Sequence, residues 1–170
     1  MRVALVAKKI SFGLSAREIK AAQKRLRDYQ KEITRKCEVL AHRLADEGVV
    51  LAKVKLTQFP AIDSGELLNS IMDEPGAVLT NGSRWIIYTG CPHAKFVEWG
   101  FGLKGQENPH PDPSIANWKY DIHEHGSSGW WYFKNGEWHW SGGQPSKPFM
   151  FETGRDLRAL IPKIAMEVFK

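Results

Sequence analysis

Cysteine is scarce in this chain of 170 residues: Cys37 and Cys91 are the only two, and they lack the spacing of a disulfide or metal framework. Such usage fits a reducing compartment and excludes the small secreted scaffolds that depend on several bridges. Long apolar runs are also missing. No stretch approaches the ~20 apolar residues of a membrane span, and the opening "MRVALVAKK" is too short for a secretory signal, so synthesis in a cytoplasm is expected. No Ser, Gln or acidic tract suggests disorder, and no internal repeat occurs. A phosphate-cradling glycine loop, a nucleophile elbow and a His-Glu-X-X-His element are all absent, which removes the commonest signatures of NTPases, serine hydrolases and zinc proteases. Charge of one sign is only mildly in excess: a formal +5 helps approach to a polyanion without marking a DNA-binding protein.

What is present is enough apolar residue, 42%, for one domain over residues 1–170 with a sizeable core. Val3 to Ile10 read as a first strand. Ser15 and Glu18 then form a capping box, and Ile19, Ala22, Leu26, Tyr29, Ile33, Cys37, Leu40 and Leu44 make one apolar stripe of a long amphipathic helix. Lys36 and Arg43 spoil a heptad seam, so packing on a sheet or neighbour is expected rather than a coiled coil. Gly48 is the expected stop, with part of the helix projecting. "VVLAKVKL" permits helix or strand.

"IDSGELLNSI" reads as a short helix started by Asp63 or Ser64, with Leu67, Leu68 and Ile71 facing inward. "AVLTNGSRWIIYTG" is a hairpin candidate turning at Asn81-Gly82, and "PHAKFVEWG" a helical turn or two ending at Gly100. A long proline- and glycine-rich connection follows, of the kind that carries function or awaits a partner. A last helix begins near Pro148, and Pro162 is expected to kink or interrupt it. The fold class is α+β: a small antiparallel sheet packed with a long N-terminal amphipathic helix and a C-terminal helix, with a loop and aromatic hairpin inserted over 101–143.

Aromatics are unusually dense in "GSSGWWYFKNGEWHWSGG", which holds four of the seven tryptophans. If Asn135-Gly136 is a two-residue turn, Lys134 faces Glu137, Phe133 faces Trp138, Tyr132 faces His139 and Trp131 faces Trp140. One face then gains two aromatic pairs, each contributing about 0.5–1 kcal/mol beyond burial. Whether that face covers its own subunit or a neighbour is open at this point, and Trp131→Ala or Trp140→Ala is expected to damage folding or assembly rather than a reaction.

Candidate chemistry is thin. His110, His123 and His125 lie near Asp112, Asp121 and Glu124, but without the ligand pattern of a recognised zinc site they are expected to be solvent-exposed loop histidines. Cys91 and His93 form a conceivable thiol–base pair with no orienting third group suggested. Glu98 beside Trp99 lacks a partner carboxylate for hydrolysis. The expectation is therefore no catalytic residue, no cofactor and no metal.

At "SGELLNSI", "HAKFVEWGFG" and "QPSKPFMFETGRDLR" the chain resembles the head-tail joining and tail-completion (neck) proteins of lambdoid phages and related prophages. The first element falls on Ser64, Gly65, Leu67, Ser70 and Ile71. The second falls on Ala94, Val97, Glu98, Gly100 and Gly102, with Trp99 in place of Phe and Phe101 in place of Thr; the third falls on Pro145, Pro148, Phe149 and Met150. The likeness covers most of the chain, and the aromatic hairpin is similar to an insertion between the second and third elements of family members. The resemblance implies a structural virion protein made in the bacterial host cytoplasm. Its implied partners are copies of itself in a ring such as a hexamer, the head-connector and tail-terminator proteins, and, non-specifically, passing genomic DNA; no membrane is implied. For the motif residues, Gly100 and Gly102 allow a sharp turn, Pro148 fixes the start of the last helix, and Glu98 has backbone amides or a neighbouring subunit to bond.

Two other readings stand beside it. "GWWYFKNGEWHW" is similar to the choline-binding wall repeats, which suggests a carbohydrate or cell-wall module, although such modules stack several repeats and this chain has one. A DNA-binding regulator would use the basic helix from Arg17 to Arg43.

Overall fold

The structure, a computed structural model, describes residues 11, 13–59, 65–77, 79, 82–115, 117–120 and 129–170. The expected strand at Val3–Ile10 and the helix start at Asp63 or Ser64 lie outside the described residues, as do Asn81, Asp121, His123, Glu124 and His125.

The capping box forms. Glu18 donates its amide to Ser15 Oγ at 3.3 Å, and the Glu18 carboxylate accepts from the Ser15 amide at 3.3 Å and from its hydroxyl. These bonds hold the Glu18 carboxyl below its ordinary value, the Ser15 hydroxyl being the largest cause. From there α1 runs from Ala16 to Gln58, 43 residues, about 64 Å at 1.5 Å per residue.

Gly48 does not stop it. Ala45, Gly48, Ala52 and Leu56 continue one buried stripe at spacings of three and four, so "VVLAKVKL" is helix. At Gly48 the missing side chain makes room for neighbours: a Cβ there would lie within contact distance of Ile87 Cδ1 and 2.9 Å from Leu157 Cδ1. The glycine is a packing residue, where a strand and another helix press on α1.

After it come α2 (Glu66–Ser70), β1 (Ile71–Pro75), β2 (Trp85–Thr89), α3 (Ala94–Trp99) and α4 (Gly102–Glu107). A 3-10 turn at Pro113–Ile115, the strands β3 (Trp130–Lys134) and β4 (Glu137–Ser141), and α5 (Phe149–Val168) complete the order. β1 and β2 are antiparallel, pairing Ile71 with Thr89 and Pro75 with Trp85. This corrects the expected hairpin: the partner of "WIIYT" is "IMDEP", and Ile71 opens a strand instead of closing a helix. Leu79 and Gly82 form only an isolated bridge. The long connection is likewise less irregular than expected, because α4 and the 3-10 turn lie within it.

α1 and α5 pack antiparallel. Lys55 meets Asp156 at 2.8 Å, Arg43 meets Glu167 at 2.7 Å, and Lys36 Nζ donates to the carbonyl of Lys170 at 3.1 Å. Lys36 thus lies beside the residues that follow α5, which ends at Val168, so the turns of α1 before it extend past α5. Of their apolar stripe Ile19, Leu26 and Ile33 are exposed, while Ala22 is buried and Tyr29 half-buried. α5 passes through Pro162 as one helix, so of the expected kink or interruption the interruption does not occur. Pro162 and Arg158, whose carbonyl loses its amide partner, both face solvent, where water can serve that oxygen.

The core consists of Ala52, Leu56, Leu67, Ile71, Cys91, Val97 and Phe149, edged by Val49, Phe59, Leu68, Ile87, Ala94 and Met150. The architecture is thus α+β, with two two-stranded antiparallel sheets, β1-β2 and β3-β4. Among the described residues no helix is long and apolar enough to cross a membrane.

Gly48→Val should destabilise the fold by about 1–3 kcal/mol, as overpacked cores do, with urea unfolding as the measurement. A second expectation concerns acid. Asp156 and Glu167 are held below their ordinary values by the side-chain bonds of Lys55 and Arg43 respectively. Depressed carboxylates stabilise the fold fully above their unfolded values and lose that contribution as pH falls through their folded values. The thermal midpoint should therefore drop at pH below the ordinary carboxylate range, and less steeply in Lys55→Met, in which Asp156 loses its shortest ion pair and keeps only the longer one to Arg155.

Candidate functional site

The three sequence elements meet at the head of α5. A helix beginning at Phe149 carries amides with no partner inside the helix, and its N-cap, Pro148, offers no side-chain acceptor. Glu98, at the end of α3, supplies one from another element. Its Oε2 accepts the Met150 amide at 2.8 Å and its Oε1 the Phe151 amide at 2.9 Å. The Phe149 amide donates to the Lys147 carbonyl and the Glu152 amide to that of Pro148, so every first-turn amide is served. A carboxylate at this position also meets the positive end of the helix dipole.

His110 completes the arrangement and corrects the sequence expectation: it is 8% exposed, not a solvated loop histidine. The Asp112 amide donates to Nδ1 at 3.0 Å. The proton of a neutral ring then sits on Nε2, which donates to Glu98 Oε1 at 3.2 Å. Asp112 turns back to accept the Ser114 amide at 2.9 Å, and that bond is the largest cause of its lowered pKa. Glu98 is 8% exposed, so this is a buried carboxylate with three donors. It has no open face toward a substrate, and chemically it does what a cap does.

The remaining motif residues build the same junction. Leu67, Ile71, Val97 and Phe149 lie together in the core. Gly65 is the left-handed N-cap of α2 at φ 80°, and Ser70 Oγ bonds the Leu67 carbonyl and Thr89 Oγ1. Gly100, at φ 78°, passes so close to the chain before α5 that a Cβ would stand 2.7 Å from the Ser146 amide; Gly102, at φ 68°, is similarly close to Gly142. Pro145 lies on that segment, between Gln144, which exchanges both backbone bonds with Phe101, and Ser146, whose hydroxyl bonds the Glu98 carbonyl at 2.5 Å. Trp99 packs edge-on against Trp118, whose indole donates to the Gly100 carbonyl at 2.9 Å. Sequence reasoning placed His110 among solvated loop histidines and did not single out Trp118, because both sit in a stretch with no periodicity.

The aromatic hairpin differs in kind. Its register is the expected one, Trp131 to Trp140 and Phe133 to Trp138, around Asn135 at φ 55° and Gly136 at φ 86°. Trp130 packs toward Phe101, with ring centroids 5.7 Å apart, and the Lys104 amide bonds the Gly142 carbonyl at the hairpin base. Strand alternation then sends the opposite face outward. Trp131, Phe133, Trp138 and Trp140 are 65, 61, 66 and 49% exposed. Trp131 and Trp140 are therefore surface residues, and the aromatic face does not cover its own subunit.

No family model, no curated protein and no solved structure matches the chain in comparisons with all three.

Glu98→Ala should lower stability by on the order of 3 kcal/mol, since it strips the acceptor from two helix amides and a buried histidine. Glu98→Gln, which keeps one carbonyl oxygen, should lose less. Chemical denaturation of both variants checks this; equal stability of Glu98→Ala and the parent protein would contradict the capping role.

Proposed function

We propose that this protein is a structural assembly subunit of a tailed phage or prophage, a neck or tail-completion protein that joins the tail to the head connector as a ring of copies. The observation that carries it is the outward aromatic face of β3-β4. Four large aromatic side chains in one contiguous patch are what protein contact surfaces present, and such patches are uncommon on monomers without partners. A second, unlike surface supports the same reading: the exposed side chains of Ile19, Leu26 and Ile33 on the projecting turns of α1. Two unlike apolar surfaces on one chain suit a head-to-tail contact, which gives a ring when the rotation between copies closes. The motif residues shape the subunit, whereas the hairpin and α1 meet its neighbours.

On the projecting turns Arg17, Lys20, Lys24, Arg25, Arg27 and Lys31 outnumber Glu18, Asp28 and Glu32. That excess suits weak contact with passing genome, and adjacent head-connector and tail-terminator proteins are the other expected partners. The virion neck is the proposed location.

The same exposed tryptophans favour one alternative, a carbohydrate or cell-wall module in which rings stack on sugar or choline. Native mass spectrometry across a concentration series separates the two. A closed oligomer of one stoichiometry is expected, lost in Trp131→Ser/Trp138→Ser while the thermal midpoint stays within a few degrees, because both side chains are exposed. Retention of a strict monomer on choline resin or peptidoglycan would instead favour the wall-binding module.

A further inference from the structure

We propose that Glu66, Cys91 and His93 form a binding site for a divalent thiophilic cation of the zinc type. Their donor atoms, a carboxylate oxygen, the thiol sulfur and an imidazole nitrogen, all lie within 4.8 Å of one another. His93 Nε2 stands 3.5 Å from Glu66 Oε2. In a tetrahedral site with bonds of about 2.0–2.3 Å, neighbouring donors are separated by about 3.3–3.8 Å. The Glu66–His93 gap already has that value, and the sulfur lies within 4.8 Å of both, a distance that side-chain rotation can close. No orienting third group for Cys91 and His93 was visible in sequence; folding supplies one from twenty-five residues upstream.

Each donor is anchored separately. Glu66 is in the first turn of α2, held over the core by Leu67. Cys91 donates its amide to Thr89 Oγ1 at 3.1 Å, and Thr89 Oγ1 pairs with Ser70 Oγ at 2.6 Å, so the exit of β2 is tied to the end of α2. His93 heads α3, its carbonyl accepting the amides of Phe96 and Val97. Cys91 is 6% exposed and belongs to the core, while His93 and Glu66 form the outer wall, with side chains 67 and 56% exposed. Three protein donors with a solvent-facing fourth position match a site that keeps one water.

The donor set selects the ion. Thiolate with imidazole prefers zinc over magnesium or calcium, which take oxygen shells. On binding, the thiol proton passes to solvent and the sulfur–metal bond replaces it, while the histidine coordinates as the neutral ring. Another group within the same span, His42 with Asp46 and Asp73, has no sulfur, and its imidazole is stacked on Trp85 with centroids 4.0 Å apart. The ion at Cys91 would staple α2, the exit of β2 and the start of α3, giving stability in proportion to its occupancy.

The test uses the reduced full chain and cobalt(II), whose thiolate charge-transfer and tetrahedral visible bands report sulfur coordination, with zinc as competitor. One cobalt per chain with a thiolate band, displaced by zinc, is expected. Cys91→Ser should abolish the band. His93→Ala and Glu66→Gln, both exposed and checked for folding by circular dichroism, should weaken binding by about a hundredfold or more, since loss even of outer-shell partners costs about 10–100-fold. Cys37→Ser should change nothing. A chain that shows no thiolate band, or keeps it in Cys91→Ser, or binds equally well as His93→Ala, overturns the site. None of these readouts depends on oligomerisation or on a phage particle.

Discussion

The Glu98 carboxylate capping α5 is the interaction on which the rest of the structure hangs. A carboxylate is costly to bury, and this one is tolerated because two helix amides and an imidazole N–H replace the water it loses. Satisfying it fixes three things at once: where α3 ends, where α5 begins, and where the segment around His110 must lie. With α5 placed, its antiparallel run along α1 follows, and Phe149 is delivered to the centre of the core at 0% exposure. Gly100 belongs to the same constraint, because the chain leaving Glu98 must turn at once beneath the chain arriving at Pro148.

How much of this was legible in sequence depends on how local the governing interactions are. The capping box at Ser15 and Glu18 and the register of β3-β4 are set by neighbours a few residues apart, and both could be read off directly. The α1 stripe was read to Leu44 but lost at Gly48, because a glycine that ends helices on local grounds is here required by Ile87 and Leu157, far away in sequence. Its continuation through Ala45, Ala52 and Leu56 was a usable signal. "IMDEP" gave no period-2 pattern strong enough to outweigh a short helix, and its pairing depends on β2. The sequence elements around Glu98 marked the right residues without their geometry: nothing near Glu98 announces that its acceptors are needed some fifty residues later.

That distinction bears on function. Residues of the three elements turn out to hold α2, α3 and α5 to one another, so their presence speaks for a shared subunit shape more than for a shared contact. The surfaces available for contact are elsewhere, on the hairpin and on the first turns of α1. A reading based on motifs and a reading based on exposure therefore draw on different residues of the same chain, and the assembly role proposed above rests on the exposed ones.

The two small sheets differ in how far the rest of the chain covers them. A two-stranded sheet is marginal in water unless something covers a face. β1-β2 has α1 behind it, with Ile87 pressed against Gly48. β3-β4 is tied at its base through Phe101, Gly142 and Gln144 and has Trp130 turned inward, but its outer face is left with four aromatic rings in solvent. Cross-strand aromatic pairing recovers part of the cost, about 0.5–1 kcal/mol for each pair, while burying even half of one such side chain against a partner would contribute a comparable amount or more at ~25 cal/mol per Å². The hairpin is thus an element to which the rest of the chain supplies enough contacts to form it and too few to cover its outer face.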